Sequence, residues 1–224
     1  RAPANPGPGM TRISARTVLF ADLRGSTALF ETLGNAEATS VVTHCVNALA
    51  APVTRHRGQV VKTLGDGLMA IFDAPAQAVP AAMEMHDLLD AMVSRGNERG
   101  ASSGLRGLKL QVGLARGEVV EMAGDCYGDA VNVAARLLDH AGDNETLLTG
   151  EVRSGLSTEL RARFRSLDRL VLRGRVEPVE VHVMGGRRGG IDLAATQFGD
   201  VSTVHEPDGL RLMWGGLQRV FASQ

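Results

Sequence analysis

Aromatic residues make up only 4% of the 224-residue chain, with one Trp, one Tyr and six Phe. The 44% hydrophobic content still supplies a real core, and the length suits one globular domain with an extension. Cysteine is scarcer still. Cys45 and Cys126 are too few and too isolated for a disulfide framework or a cysteine-rich zinc site. Charge of one sign is missing as well, because the formal net charge is −1, which argues against a nucleic-acid groove or an anionic membrane surface. No run of about 18 apolar residues occurs, and no signal-peptide layout appears. The expectation is a soluble protein in a reducing, cytoplasmic setting, with no nucleic-acid partner and no membrane segment. The chain opens on Arg1 rather than Met, so a longer parent carrying further regulatory domains is expected.

What is present is organised around VVKTLGDGLMAIF, residues 60–72. Two apolar, strand-like runs flank a Gly65-Asp66-Gly67 turn, a strong hairpin signal. The glycines tolerate positive φ, so Asp66 can sit at the hairpin tip with its carboxylate pointing outward. Lys62 stands on the incoming strand. Taken alone, such a hairpin is equally a surface turn with a solvated charge pair.

Along the chain, residues 1–12 are rich in Pro and Gly and read as a linker or loose tail, with the first domain boundary near residue 15. Residues 17–22 form a short buried strand ending in Asp22. Ser26 or Thr27 then caps a helix to about Leu33, and Asn35 caps a second one to about His56, with Val42, Val46, Leu49 and Val53 facing the core. After the hairpin, a helix framed by Pro75 and Pro80 runs to about Val93, followed by a polar loop. Residues 109–115 alternate as a half-buried strand, and Gly117 turns the chain into a partner strand, 118–122. Asp125 leads into a helix over Asn132 to about His140, with Asp129 as its cap. A short strand at 146–149, a short helix at 151–156 and a last hairpin, 164–172 with 178–184, complete the domain. Strands arriving as hairpins between helices predict an α+β fold, with helices packed on a mostly antiparallel sheet. Residues 185–224 read as a linker and the possible start of a further domain.

Two acids at strand ends, Asp22 and Asp66, can share one or two Mg²⁺ ions, which prefer oxygen ligands and substrate phosphates. Gly25, Ser26 and Thr27, at a turn entering a helix, offer free backbone N–H groups as a phosphate cradle. Asn132 and Arg136, four residues apart, share a helix face and can address one anionic group. The six histidines show no ligand-like spacing.

Four motifs in this order, FADLRGST (20–27), VVKTLGDG (60–67), GDCYGDAVNVAAR (124–136) and LVLRGRVEPVEVHVM (170–184), resemble the catalytic domain of class III nucleotide cyclases. The resemblance spans residues 16–184 and implies a ferredoxin-like cyclase homology domain. By that resemblance Asp22 and Asp66 are the two metal-binding aspartates, for two Mg²⁺ or Mn²⁺ ions per site. Lys62 and Asp125 read adenine, Asn132 orients the ribose, Arg136 stabilises the pentavalent phosphorus, and Arg173 falls where a lysine often contacts the terminal phosphates. The base chemistry agrees independently. Adenine presents an acceptor at N1 and a donor at N6, matching a lysine and an aspartate, whereas guanine reverses the pattern. The resemblance thus implies an adenylyl cyclase acting on ATP, with sites shared across a homodimer of the short-armed bacterial kind. A guanylyl cyclase and a non-catalytic nucleotide-binding signalling module are the alternatives.

Overall fold

A computed structural model of the protein describes residues 11–98, 105 and 107–185. Its central strand, β1 (Arg12–Arg24), is followed by α1 (Ser26–Leu33), α2 (Asn35–Arg55), the hairpin β2 (Gln59–Leu64) and β3 (Gly67–Phe72), and α3 (Pro75–Glu98). Strand β4 (Lys109–Met122), the short β5 (Asp125–Tyr127) and α4 (Asp129–Leu137) come next, α4 ending in a 3-10 turn at Leu138–His140. The remainder comprises β6 (Glu145–Thr149), α5 (Gly150–Ser154), α6 (Thr158–Arg161), β7 (Arg165–Leu170) and β8 (Val179–Gly185).

The sheet runs β2-β3-β1-β4-β6-β8-β7, with β5 paired to β4. Among the described residues, only β4 and β6 pair in parallel, and the other pairings are antiparallel. The first four strands, in the order β2-β3-β1-β4 with helices between them, form the ferredoxin-like α+β arrangement expected from the sequence. Alternation along the strands decides which side chains meet which layer. Leu19, Ala21 and Leu23 of β1, Leu68 and Phe72 of β3, and Leu110, Val112 and Leu114 of β4 join Val42, Val46, Leu49 and Val53 of α2 and Met85 and Leu89 of α3 in one buried cluster. On the other face α4 lies so close to β4 that a Cβ on Gly113 would come within 2.4 Å of the Ala134 carbonyl oxygen. That close approach is why 110–115 is buried throughout rather than half-buried as the alternation suggested.

Several boundaries differ from those expected. Strand β1 starts at Arg12, inside the stretch read as a tail, because its whole length pairs with β4, from Arg12 opposite Glu121 to Arg24 opposite Lys109. For the same reason there is no turn at Gly117; β4 is one 14-residue strand. The turn lies instead at Ala123 (φ 52) and Gly124 (φ 79), which fold β5 back so that Asp125 faces Met122. Helix α1 is entered through Gly25 and α2 through Gly34, neither with a side-chain cap, so Ser26, Thr27 and Asn35 are first-turn residues rather than caps. Residues 1–10 and the expected linker at 186–224 lie outside the described residues. Among the described residues, no helix is long and apolar enough to cross a membrane.

Candidate active site

Asp22, next to last but one in β1, stands opposite Gly67 on β3 and Gln111 on β4. The Leu23 N–H donates to the Asp66 carbonyl oxygen (2.9 Å), so the hairpin tip is fastened to the end of β1. The Asp66 side chain does not stand alone in solvent as expected; it lies close enough to the Asp22 carboxylate to push that group's pKa up. Asp22 is 9% exposed. Burial, then the Asp66 charge, push its carboxyl up to about 8, against a lowering pull from Arg24. Arg24 Nε lies 3.9 Å from Asp22 Oδ2 and donates to Gln111 Oε1 at 2.6 Å, while Gln111 is itself anchored on the Ala141 carbonyl. Two carboxylates are thus crowded into a buried corner with one offset arginine for relief.

This crowding makes a stability prediction. The unfolded carboxyl titrates near 3.8 and the folded one near 8. Between those values the native state holds a proton that the unfolded chain has lost, so this group's contribution to stability falls as pH rises. Asp22→Asn mimics the protonated form. In EDTA it is expected to melt above the parent at pH 8, by roughly 2–4 °C for each kcal/mol relieved, and the gap should close as the pH falls toward 4. An equal gap at both ends of a thermal-unfolding series would show that Asp22 is not under this pressure.

Just beyond Asp22, Gly25 takes φ +84, and a Cβ there would meet the Gly107 carbonyl oxygen at 2.2 Å. Only glycine fits that junction. Because no side chain caps α1, the N–H groups of Ser26 and Thr27 are not taken up by a capping side chain.

The second group forms on the incoming strand of the hairpin, β2. A register shift between Val60 and Lys62 precedes Lys62, whose ammonium donates to both carboxylate oxygens of Asp125, at 2.9 Å and 2.8 Å. Both side chains remain about a third exposed. Asp125 Oδ1 also accepts from the Cys126 N–H (2.8 Å). The next residue faces the other way, since Cys126 is 2% exposed and burial first, then neighbouring acids, push its thiol up to about 11. Asp125 rather than Cys126 therefore stands beside Lys62.

The third group belongs to α4. Asn132 is exposed, and Arg136 follows one turn later with NH1 3.7 Å from Asp139 Oδ2. Burial pushes the Asp139 carboxyl above its ordinary value, against lowering pulls from Arg136, then His140, Arg173 on the loop between β7 and β8, and Arg24. Asp129 does not cap α4, which starts from Gly128 without a side-chain cap; its carboxylate pairs with Arg175. The structure thus brings Asp22 beside Asp66, Lys62 onto Asp125, and Arg136 near Asp139. Sequence reasoning missed Asp139, Gln111 and Arg24. Only the three-residue spacing of Arg136 and Asp139 on a helix was a readable signal.

A family model, the adenylate and guanylate cyclase catalytic domain, matches residues 9–186. The chain belongs to that family. A pH-sensitive adenylate cyclase of Mycobacterium tuberculosis is 30% identical to this cyclase domain over 156 residues, which is 70% of this chain and 35% of the relative. Among solved structures, the adenylyl cyclase CyaB from P. aeruginosa superposes with a TM-score of 0.69 at 22% identity, covering 80% of this chain and 98% of that one. The guanylyl cyclase Cya2 superposes with a TM-score of 0.63, also at 22% identity, covering 84% and all of that chain. These likenesses establish the fold. The cyclase domain spans about a third of the length of the curated relatives it matches.

Proposed function

We propose that two copies of this cyclase domain convert ATP into 3′,5′-cyclic AMP and pyrophosphate. The observation that carries the choice of base is the Lys62–Asp125 pair, a donor-only group fixed beside an acceptor-only one. Adenine N1 accepts and its N6 amino group donates, so the pair can exchange its mutual bonds for two bonds to that edge. Guanine would face a donor with N1–H and an acceptor with O6, leaving two polar groups mismatched.

The acid pair fits divalent cations. Asp22 and Asp66 are hard oxygen donors, and the proton forced onto Asp22 by their crowding is what a cation would replace. Among the described residues no cluster of three or more His, Cys, Asp or Glu side chains forms, so the remaining ligands would be substrate phosphates and water, as Mg²⁺ prefers. Two bound Mg²⁺ or Mn²⁺ ions would supply a lowered ribose 3′-hydroxyl pKa and neutralisation of the triphosphate. The protein's own residues do the rest. Ser26 and Thr27 N–H groups receive phosphate oxygens, Asn132 orients the ribose, and Arg173 holds the terminal phosphates. Arg136 offsets charge that grows as the 3′-oxygen, its proton passing to solvent or to a substrate phosphate oxygen, bonds to the α-phosphorus and the bond to pyrophosphate breaks. Each chain carries one acid pair and one base-reading pair, which supports a symmetric homodimer with two shared sites. Cys45 and Cys126 are both free and buried, in keeping with a cytoplasmic location.

Guanylyl cyclase activity is the second reading, favoured by the structural likeness to Cya2 and opposed by Lys62. Incubation of the purified domain with Mg²⁺ or Mn²⁺ and ATP or GTP in turn, with chromatographic identification of products, separates them. Cyclic AMP and pyrophosphate in equal amounts are expected from ATP. Cyclic GMP formed faster than cyclic AMP would overturn the assignment of base.

A further inference from the structure

The pairing of β1 with β4 puts three polar side chains on one face of the sheet, next to the acid pair. Asp22 and Arg24 are two apart on β1 and so share a face, and Gln111 stands directly opposite Asp22 on β4. Their strand neighbours Leu23, Leu110 and Val112 belong to the core cluster on the other face. Gln111 is only 4% exposed, and both ends of its amide are engaged. Its Nε2 donates to the carbonyl oxygen of Ala141, the residue just past the turn that ends α4. Its Oε1 accepts from Arg24 Nε at 2.6 Å. That orientation of the amide has no alternative, because a carbonyl oxygen can only accept and a guanidinium can only donate.

The consequence falls on Asp22. A buried carboxylate beside an unrestrained arginine favours two parallel bonds of about 2.7–2.9 Å. Arg24 instead stops 3.9 Å from Asp22 Oδ2, beyond hydrogen-bond distance, with its Nε turned to Gln111. A carboxylate gripped by a guanidinium has given up lone pairs that a hard cation uses, whereas one that feels the arginine only at a distance keeps them. A purely structural Gln111 accounts for the bond to Ala141, which ties β4 to the end of α4. It does not account for the capture of Arg24.

We propose that Gln111 sets the cation affinity of the acid pair by holding Arg24 off Asp22. This rests on the reading of Asp22 and Asp66 given above. Gln111 touches no cation; it is a positioning residue that acts through Arg24.

The test is Mn²⁺ binding without nucleotide, followed by loss of the free-ion electron paramagnetic resonance signal. The proteins compared are the parent, Asp22→Ala, Gln111→Leu, Arg24→Gln and the Gln111→Leu/Arg24→Gln double variant, each with a melting curve in EDTA. In Gln111→Leu the released guanidinium closes on Asp22, and the Kd for Mn²⁺ should rise about 10- to 100-fold, the usual scale for a group that orients a metal ligand. Arg24→Gln removes the competitor, so its Kd should fall below the parent's. Adding Gln111→Leu to Arg24→Gln should then change Kd by less than about twofold, because Gln111 has nothing left to hold. The lost bond to Ala141 lowers the melting temperature with or without Arg24, so a structural role alone cannot produce a change in Kd that depends on Arg24. Gln111→Asn, whose shorter amide cannot span Ala141 and Arg24 together, gives the same comparison if Gln111→Leu does not fold.

Mn²⁺ bound by the folded Gln111 variant as tightly as by the parent, or more tightly, overturns the proposal. So does an equal loss of affinity with and without Arg24. A parent that binds no Mn²⁺, or binds it equally well after Asp22→Ala, defeats the reading of the acid pair and this inference with it. Mn²⁺ held through Asp22 but indifferent to Gln111 defeats this inference alone.

Discussion

Lys62→Glu is expected to lower kcat/KM for ATP by about 100-fold or more, the scale on which a polar pocket rejects a mismatched edge. Two effects add. The substitution removes the donor for adenine N1, and it sets a second acid against Asp125, whose carboxylate now accepts from the Lys62 ammonium at 2.8 Å. Like charges at that range raise a carboxyl pKa or push the strands' side chains apart, so the acceptor for the N6 amino group is disturbed as well. GTP should suffer less, since guanine N1–H can donate to an acid at position 62. The ratio of ATP to GTP turnover therefore falls further than either rate alone implies. Competition kinetics with both nucleotides measures that ratio directly. Unchanged ATP kinetics would remove Lys62 from the nucleotide pocket.

The fold was legible wherever a local pattern had one meaning. The Gly65-Asp66-Gly67 turn between apolar runs gave the β2–β3 hairpin, and Val42, Val46, Leu49 and Val53 gave the buried face of α2. Where partners distant in sequence decide, local reading failed. Gly117 looks like a turn, but β1 pairs along the whole of β4 and keeps it extended. Ser26 and Thr27 look like caps, yet the positive φ at Gly25, set by its packing against Gly107, starts the helix one residue earlier.

The site shows the same division. Residue types and order pointed to Asp22, Asp66, Lys62 and Asp125, and the chain folds so that Asp22 neighbours Asp66 and Lys62 bonds Asp125. The direction of Asp66 was not readable, because an isolated turn acid prefers water; only the end of β1 brings a second carboxylate within reach. Asp129 fits a helix cap by type and place. Its preference for Arg175 depends on a loop forty-six residues away, which no local pattern reports.

The claim on which this account rests is that one copy supplies the acid pair and another the base-reading and phosphate-stabilising side chains. Asp22→Ala removes a carboxylate from the first set, and Asn132→Ala removes a ribose contact from the second. Each protein alone has two defective sites in every dimer and should be nearly inactive. Mixed in equal amounts and allowed to exchange subunits, half of the dimers become heterodimers, each with one site free of both substitutions. Activity should recover to about a quarter of the parent level under random pairing of a two-fold dimer. The measurement is cyclic AMP formation by the mixture, with melting curves and mass measurements confirming that both variants fold and that heterodimers form. Recovery near that fraction is the predicted result. A mixture no more active than its separate components, despite proven heterodimers, would place all of these residues in one chain's own site and contradict the account.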